Sequence, residues 1–250
     1  MISEFPLFVF TTLGGIAAGC YVARAVEPLD DNRSRPWLFS AVMLVLLAVG
    51  GVALLFHLGQ PLRVLNAFGN LGAGITQEGI ATVLFGVCVV ADLVFCIAKK
   101  DSPRWLVVVT AALGAVMMLT MGLAYFALAG TPAWAHVGSV PFFVLGDLAV
   151  GAGVYVLFKG GISSSNVFCV YAVAAQVLAA LCMIGEGVHF AQTGYAVAPF
   201  AVGAVAVLAA AALMLAVRKG KGAAFAYAAC VCVVVGVVVA RYAFYAASVI

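Results

Sequence analysis

Charge is what this sequence has least of. Only 12 Lys and Arg and 9 Asp and Glu occur in 250 residues, so charged positions make up 8% of the chain, against about 25% in soluble globular proteins. Twenty-one charges cannot coat a globule whose residues are 66% hydrophobic, and a water-soluble fold is excluded. No polar stretch is long enough for an extramembrane domain or a linker, so any chemistry takes place in or at a bilayer. A clustered basic face is also missing, and the net charge of +3 is scattered along the sequence, which excludes nucleic-acid binding. Histidine is scarce, with 3 residues.

The cysteines supply no metal motif. Cys20, Cys88, Cys96, Cys169, Cys182, Cys230 and Cys232 all lie in apolar runs and none forms C-x-x-C, so they read as small hydrophobes rather than iron–sulfur or zinc ligands. Cys230 and Cys232 would point about 200° apart on a helix and cannot grip one metal together.

What is present is long hydrophobic runs. With about 20 apolar residues per span, the breaks in hydropathy predict eight transmembrane helices, at about residues 5–24, 37–57, 79–98, 105–129, 140–158, 166–188, 195–217 and 223–247. The expected fold is an all-α integral membrane protein, a single membrane domain over 1–250. Short connections imply an antiparallel bundle. Pro36, Pro103 and Pro141 fall at span starts, where a missing amide costs least, and Gly220-Lys221-Gly222 makes a tight turn. The first span follows Met1-Ile2-Ser3-Glu4, which lacks the basic n-region of a signal peptide, so it is expected to stay in the mature protein.

Positive residues predict the orientation. Of the 12 Lys and Arg, all but Arg63 and Arg241 fall in the loops after spans one, three, five and seven, and positive loops stay cytoplasmic. Both termini and the long second loop are therefore expected on the extracytoplasmic side.

Topology accounts for Arg24 and the other loop cations but not for His57, Arg63, Glu78, Asp92, His136, Asp147, Glu186, His189 and Arg241. Intramembrane ionisable groups are functional candidates by default. The densest group is the second loop, from His57-Leu58-Gly59-Gln60-Pro61-Leu62-Arg63 through Asn66 to Glu78. So apolar a segment is expected to fold back as a short helix and roof a pocket, with His57 ending span two and Glu78 opening span three. An apolar slot holding an imidazole, a carboxylate and a guanidinium suits a quinol, whose two hydroxyls must each lose a proton as two electrons leave. Arg63 would steady the developing negative charge. An interfacial histidine and a carboxylate that merely complements a helix dipole account for the same two residues.

Here the residues acquire a resemblance. His57-Leu58-Gly59-Gln60-Pro61-Leu62-Arg63, continuing to Asn66, resembles the H-L-G-x-P-x-R-x-x-N signature of the membrane anchor subunit of dimethyl sulfoxide reductase. Glu4-Phe5-Pro6-Leu7 with Phe10-Thr11, Gln77-Glu78-Gly79-Ile80 and Arg241-Tyr242-Ala243-Phe244-Tyr245 are similar to that family's opening, third helix and last helix. The likeness spans the whole sequence and is most specific over 57–80. It implies a subunit that binds and oxidises menaquinol near the outer face in anaerobic respiration. His57 and Glu78 would act on the quinol, and Gln60, Arg63, Asn66 and Arg241 would line its pocket. It further implies that the protein carries no haem, iron–sulfur cluster or metal of its own. Electrons would pass to a four-cluster iron–sulfur subunit and a molybdenum bis-pterin catalytic subunit on the extracytoplasmic side of a prokaryotic cytoplasmic membrane. The anchors of polysulfide and nitrite reductases share the eight-span plan, but the histidine of H-L-G favours the dimethyl sulfoxide reductase branch.

Arg241 is expected to line the pocket or to snorkel outward. Glu186 and His189, three residues apart, are expected to pair with each other, Asp92 and Asp147 to bond between helices, and His136 to lie in a wet loop. Aromatic residues at span ends read as interfacial anchors. The competing function is a secondary transporter or proton conductor using Asp92, Asp147 and Glu186. It lacks an evident internal repeat. A haem anchor would need facing histidines within the bilayer, which His57, His136 and His189 do not provide.

Overall fold

The computed structural model describes residues 4–29, 35–57, 70, 72–160 and 165–247. They form eight helices: α1 Phe5–Val26, α2 Pro36–His57, α3 Gly74–Lys99, α4 Arg104–Phe126, α5 Ser139–Phe158, α6 Asn166–Gln192, α7 Ala198–Arg218 and α8 Ala223–Ala246. All eight are long and apolar enough to cross a membrane, and no strand occurs among the described residues. The expected spans are met one for one, and the boundaries differ for local reasons. Helix α3 starts at Gly74 rather than near 79, because Ala73 takes the extended N-cap conformation and the polar Thr76-Gln77-Glu78 is already helical. Glu78 therefore does not open the helix but sits in its second turn. Helix α6 runs on to Gln192, with Gly194 at φ +87 turning the backbone toward α7. The expected turn after α7 is present, with Gly220 at φ +84, a conformation that favours glycine.

Helices α1 and α5 are the inner pair. Helix α1 packs on α2, α4 and α5, and α5 also meets α4, α6 and α8, while α6, α7 and α8 follow in succession and α3 lies on α2 and α4. The two inner helices cross where Gly19 meets Gly151: a Cβ on Gly151 would land in the Gly19 backbone, and one on Gly19 would land on the Asp147 carbonyl of α5. Gly203 and Gly236 do the same for α7 and α8, each within 2.7 Å of the partner's carbonyl oxygen once a Cβ is added. Small residues at crossings let backbones touch, which is how helices associate where lipid offers no hydrophobic drive. The faces turned outward are apolar, with Val45, Val49, Val52, Val83, Val87 and Val94 exposed on α2 and α3.

Arg24 corrects the loop assignment made from charge counting. It lies inside α1, buried, with Nη1 2.6 Å from Asp92 Oδ2. Tyr21 donates to the same carboxylate oxygen at 2.8 Å, and Ser40 on α2 donates to it at 2.5 Å. Asp92 thus bonds between helices, joining α1, α2 and α3.

Candidate functional site

Glu78 is the expected site residue that the described structure places most informatively. It is 7% exposed, and its Oε1 is shut from solvent with no hydrogen-bond partner. A carboxylate in that state bears the full cost of lost hydration. Its carboxyl lies within electrostatic reach of the Tyr125 and Tyr245 phenols. Tyr245 donates to the Tyr125 hydroxyl at 2.7 Å and shares a 3.0 Å hydrogen bond with Thr11 Oγ1. Since a phenol both donates and accepts, Tyr125 retains a proton to give.

Thr11 carries the network onward, its carbonyl accepting from Arg241 Nη1 at 2.7 Å. Arg241 Nη2 lies 2.6 Å from Asp147 Oδ1, and the guanidinium carbon stands 4.7 Å over the Phe143 ring. Arg241 is 1% exposed and Asp147 0%. The snorkelling alternative for Arg241 is therefore corrected: Asp147 on α5 and the α1 carbonyl hold it inside. Tyr125, Tyr245, Thr11, Arg241 and Asp147 form one hydrogen-bonded chain drawn from α4, α8, α1 and α5, and Glu78 on α3 stands within electrostatic reach of its phenol end without a hydrogen bond to it. His57 ends α2. Gln60, Arg63 and Asn66, and the short helix expected around them, lie outside the described residues.

Trp37, Trp105, Phe126 and Tyr227 are exposed at span ends, as interfacial anchors would be, but one cluster of aromatic span ends departs from that expectation. Tyr125, Trp134, Phe142, Phe143, Phe244 and Tyr245 are buried and pack ring on ring, Tyr125 stacked on Phe143 at 5.1 Å and Trp134 on Phe244 at 5.7 Å. Trp134 Nε1 donates to the Phe244 carbonyl at 2.8 Å. Tyr125 carried no sequence signal, and Thr11 entered only as part of the family-like opening, with no role. Tyr245 carried a signal, because it lies four residues after Arg241, on the same helical face.

Glu186 and His189 do not pair as expected. His189 Nε2 is 3.1 Å from the Pro132 carbonyl, and the carboxylate instead faces His136, with Oε1 3.7 Å from Nδ1. The two imidazoles stack at 4.1 Å. His136 Nδ1 accepts from Gly138 N at 3.2 Å, so a neutral His136 carries its hydrogen on Nε2 and turns a lone pair toward Glu186. Burial and the adjacent His189 hold the His136 imidazole below its ordinary value. Among the described residues, no three His, Cys, Asp or Glu side chains gather as a metal site.

Eight apolar spans enclosing a buried polar network define a multi-pass membrane protein. Residues 1–247 match the family described as DMSO reductase anchor subunit (DmsC), and the chain belongs to that family. It is similar to the C subunit of anaerobic dimethyl sulfoxide reductase from Escherichia coli (strain K12), 30% identical over 142 residues, which are 52% of this chain and 49% of that one. The corresponding C subunit from Haemophilus influenzae is 28% identical over 139 residues, 52% of this chain and 50% of the relative. The YnfH subunit of anaerobic dimethyl sulfoxide reductase from Escherichia coli (strain K12) is 30% identical over 131 residues, 49% of this chain and 46% of the relative. The matched stretch spans about half the length of these curated relatives.

Proposed function

We propose that this protein is the quinol-oxidising anchor of a dimethyl sulfoxide reductase-type complex. It binds menaquinol at the Glu78 end of the bundle and hands the electrons to a four-cluster iron–sulfur subunit. The clusters pass them to a molybdenum bis-pterin subunit in anaerobic respiration. The observation that carries this reading is the Glu78 carboxyl, buried with a free oxygen and within electrostatic reach of the Tyr125–Tyr245 pair. A quinol hydroxyl needs a proton acceptor at the moment its electrons leave, and a desolvated carboxylate with an unused lone pair suits that task. His57, at the end of α2, takes the second proton. Arg63 offsets the charge that develops on the ring oxygens, and Gln60 and Asn66 bind the headgroup. Arg241, fixed by Asp147 and the Thr11 carbonyl, holds Thr11 and so the phenol pair in place. The protein brings no haem, cluster or metal of its own.

In this reading the helices alternate in direction and both termini lie outside the cytoplasmic membrane of a prokaryote, on the side where the partner subunits dock. The charge asymmetry of the loops supports it. Against the transporter reading stand the two ion pairs, which leave Asp92 and Asp147 engaged by arginines rather than free to relay protons.

The test is Glu78→Gln, which keeps shape and hydrogen bonding but removes the acceptor. Quinol-dependent turnover should fall by about 100-fold or more, while the complex assembles and artificial donors to the partner's clusters still drive reduction. Quinol oxidation near the wild-type rate would make Glu78 structural and end the proposal.

A further inference from the structure

At the other end of α1, about 20 Å along the helix from Thr11, a pocket of about 320 Å³ opens between the last turn of α1 and the first turn of α4. Arg24 and Arg104 line it, with Asp101, Ser102, Leu29 and Val107. Four observations bear on what it holds. Ser102 is 7% exposed, and its hydroxyl has no hydrogen-bond partner. Helix α4 begins here with no side chain capping it, so its first amides and the positive end of its dipole face the pocket. Arg104 gives Nη1 to the Arg24 carbonyl at 3.3 Å and Nη2 to the Ala25 carbonyl, which leaves most of its five N–H groups unspent. Asp101, the acid on the wall, is turned to the backbone, its Oδ1 accepting from Ser102 N at 2.6 Å.

Charge favours an anion. Exposed Lys99 and Lys100 immediately precede the lining residue Asp101 in sequence, and Glu27 beside the lining Pro28 is held by Lys159 at 3.0 Å, so the lining and the residues next to it carry five cations (Arg24, Lys99, Lys100, Arg104, Lys159) against the carboxylates of Glu27, Asp92 and Asp101. A free hydroxyl, helix amides and guanidinium N–H groups are the donor set that phosphate oxygens satisfy. Leu29 and Val107 add an apolar wall beside them. We propose that this pocket binds a phosphate group, and that its place at the end of two membrane spans makes the headgroup of an anionic phospholipid the ligand. Basic pockets between spans are where such headgroups bind.

The purified full-length protein would be placed in nanodiscs of phosphatidylcholine alone, of phosphatidylcholine with phosphatidylglycerol, and of phosphatidylcholine with inorganic phosphate in the buffer. Melting temperature and lipids retained in native mass spectrometry are read out. Phosphatidylglycerol should raise the melting temperature and be retained over phosphatidylcholine, Arg104→Gln should weaken retention about five-fold, and Arg104→Lys should recover part of it. Leu29→Trp, which fills the pocket and leaves every charge in place, should abolish the preference and stands as the test if Arg104→Gln fails to fold. Stabilisation by inorganic phosphate that Leu29→Trp abolishes, without any phosphatidylglycerol preference, would keep the phosphate chemistry and reject the lipid. No effect of either, or retention untouched by Leu29→Trp, would overturn the site.

Discussion

Arg241 on α8 and Asp147 on α5 meet at 2.6 Å with both side chains closed to solvent, and each is the charge the other requires. Removing one partner strands the other in a medium that cannot solvate it. Asp147→Asn or Arg241→Met alone should therefore destabilise the detergent-solubilised protein by about 3–5 kcal/mol. The double variant should cost less than either single change, as read by thermal unfolding in a double-mutant cycle. Additive losses would mean that the pair contributes nothing jointly.

Tyr245→Phe removes one hydroxyl and with it the links to Tyr125 and Thr11, at about 1 kcal/mol per hydrogen bond. The ring packing should survive, so the complex should still assemble, with melting lowered by no more than the loss of about two hydrogen bonds accounts for. Quinol-dependent kcat should drop while KM moves less, because the phenols position the Glu78 end rather than build the apolar slot. A purely structural Tyr245 would leave the kinetics of the folded fraction intact.

Orientation is testable with two exposed positions. A cysteine placed at Gly130, between α4 and α5, should react with a membrane-impermeant thiol reagent in whole cells. One at Lys221, between α7 and α8, should react only after the membrane is opened. The reverse pattern would move the Glu78 end to the cytoplasmic face and the proposed partners with it.

His136 carries a pH signature. Burial and His189 lower its affinity for a proton in the folded protein, whereas the unfolded state protonates near the ordinary imidazole value of about 6.5. The stability contributed by keeping it neutral is thus complete above that value and is lost as pH falls through the folded value. Melting temperature should decline more steeply below about pH 6.5 in the wild type than in His136→Gln. Equal slopes would show that the imidazole titrates alike in both states.

The eight spans were readable because hydropathy needs no knowledge of neighbours, and each helix in lipid must satisfy its own backbone. The sequence also pointed to Glu78 and Arg241 as residues worth explaining. It could not say that Arg24 belongs to Asp92 or Arg241 to Asp147, since those partners are 68 and 94 residues apart and charge counting sees only sign and loop. Arg24 shows the limit best: its position near a span end satisfied the positive-inside pattern, while its side chain turned inward. Glu186 found His136 rather than its helical neighbour His189 for a similar reason, because the segment before α5 folds back over the end of α6. The buried aromatic wall was mistaken for interfacial anchors because an aromatic residue at a span end looks the same in sequence whether it faces lipid or a neighbouring helix.

The contact of Gly19 with Gly151 reaches beyond packing. Thr11 and Arg24 are both on α1, so the polar groups at its two ends hang from a single rod whose midpoint is pressed backbone to backbone against α5. A rod held there cannot slide or roll without lifting main chain off main chain. A working cycle that needed α1 and α5 to trade places, as a rocking carrier does, would have to break that seam at every turnover. The moving parts of this protein are then to be sought away from its axle.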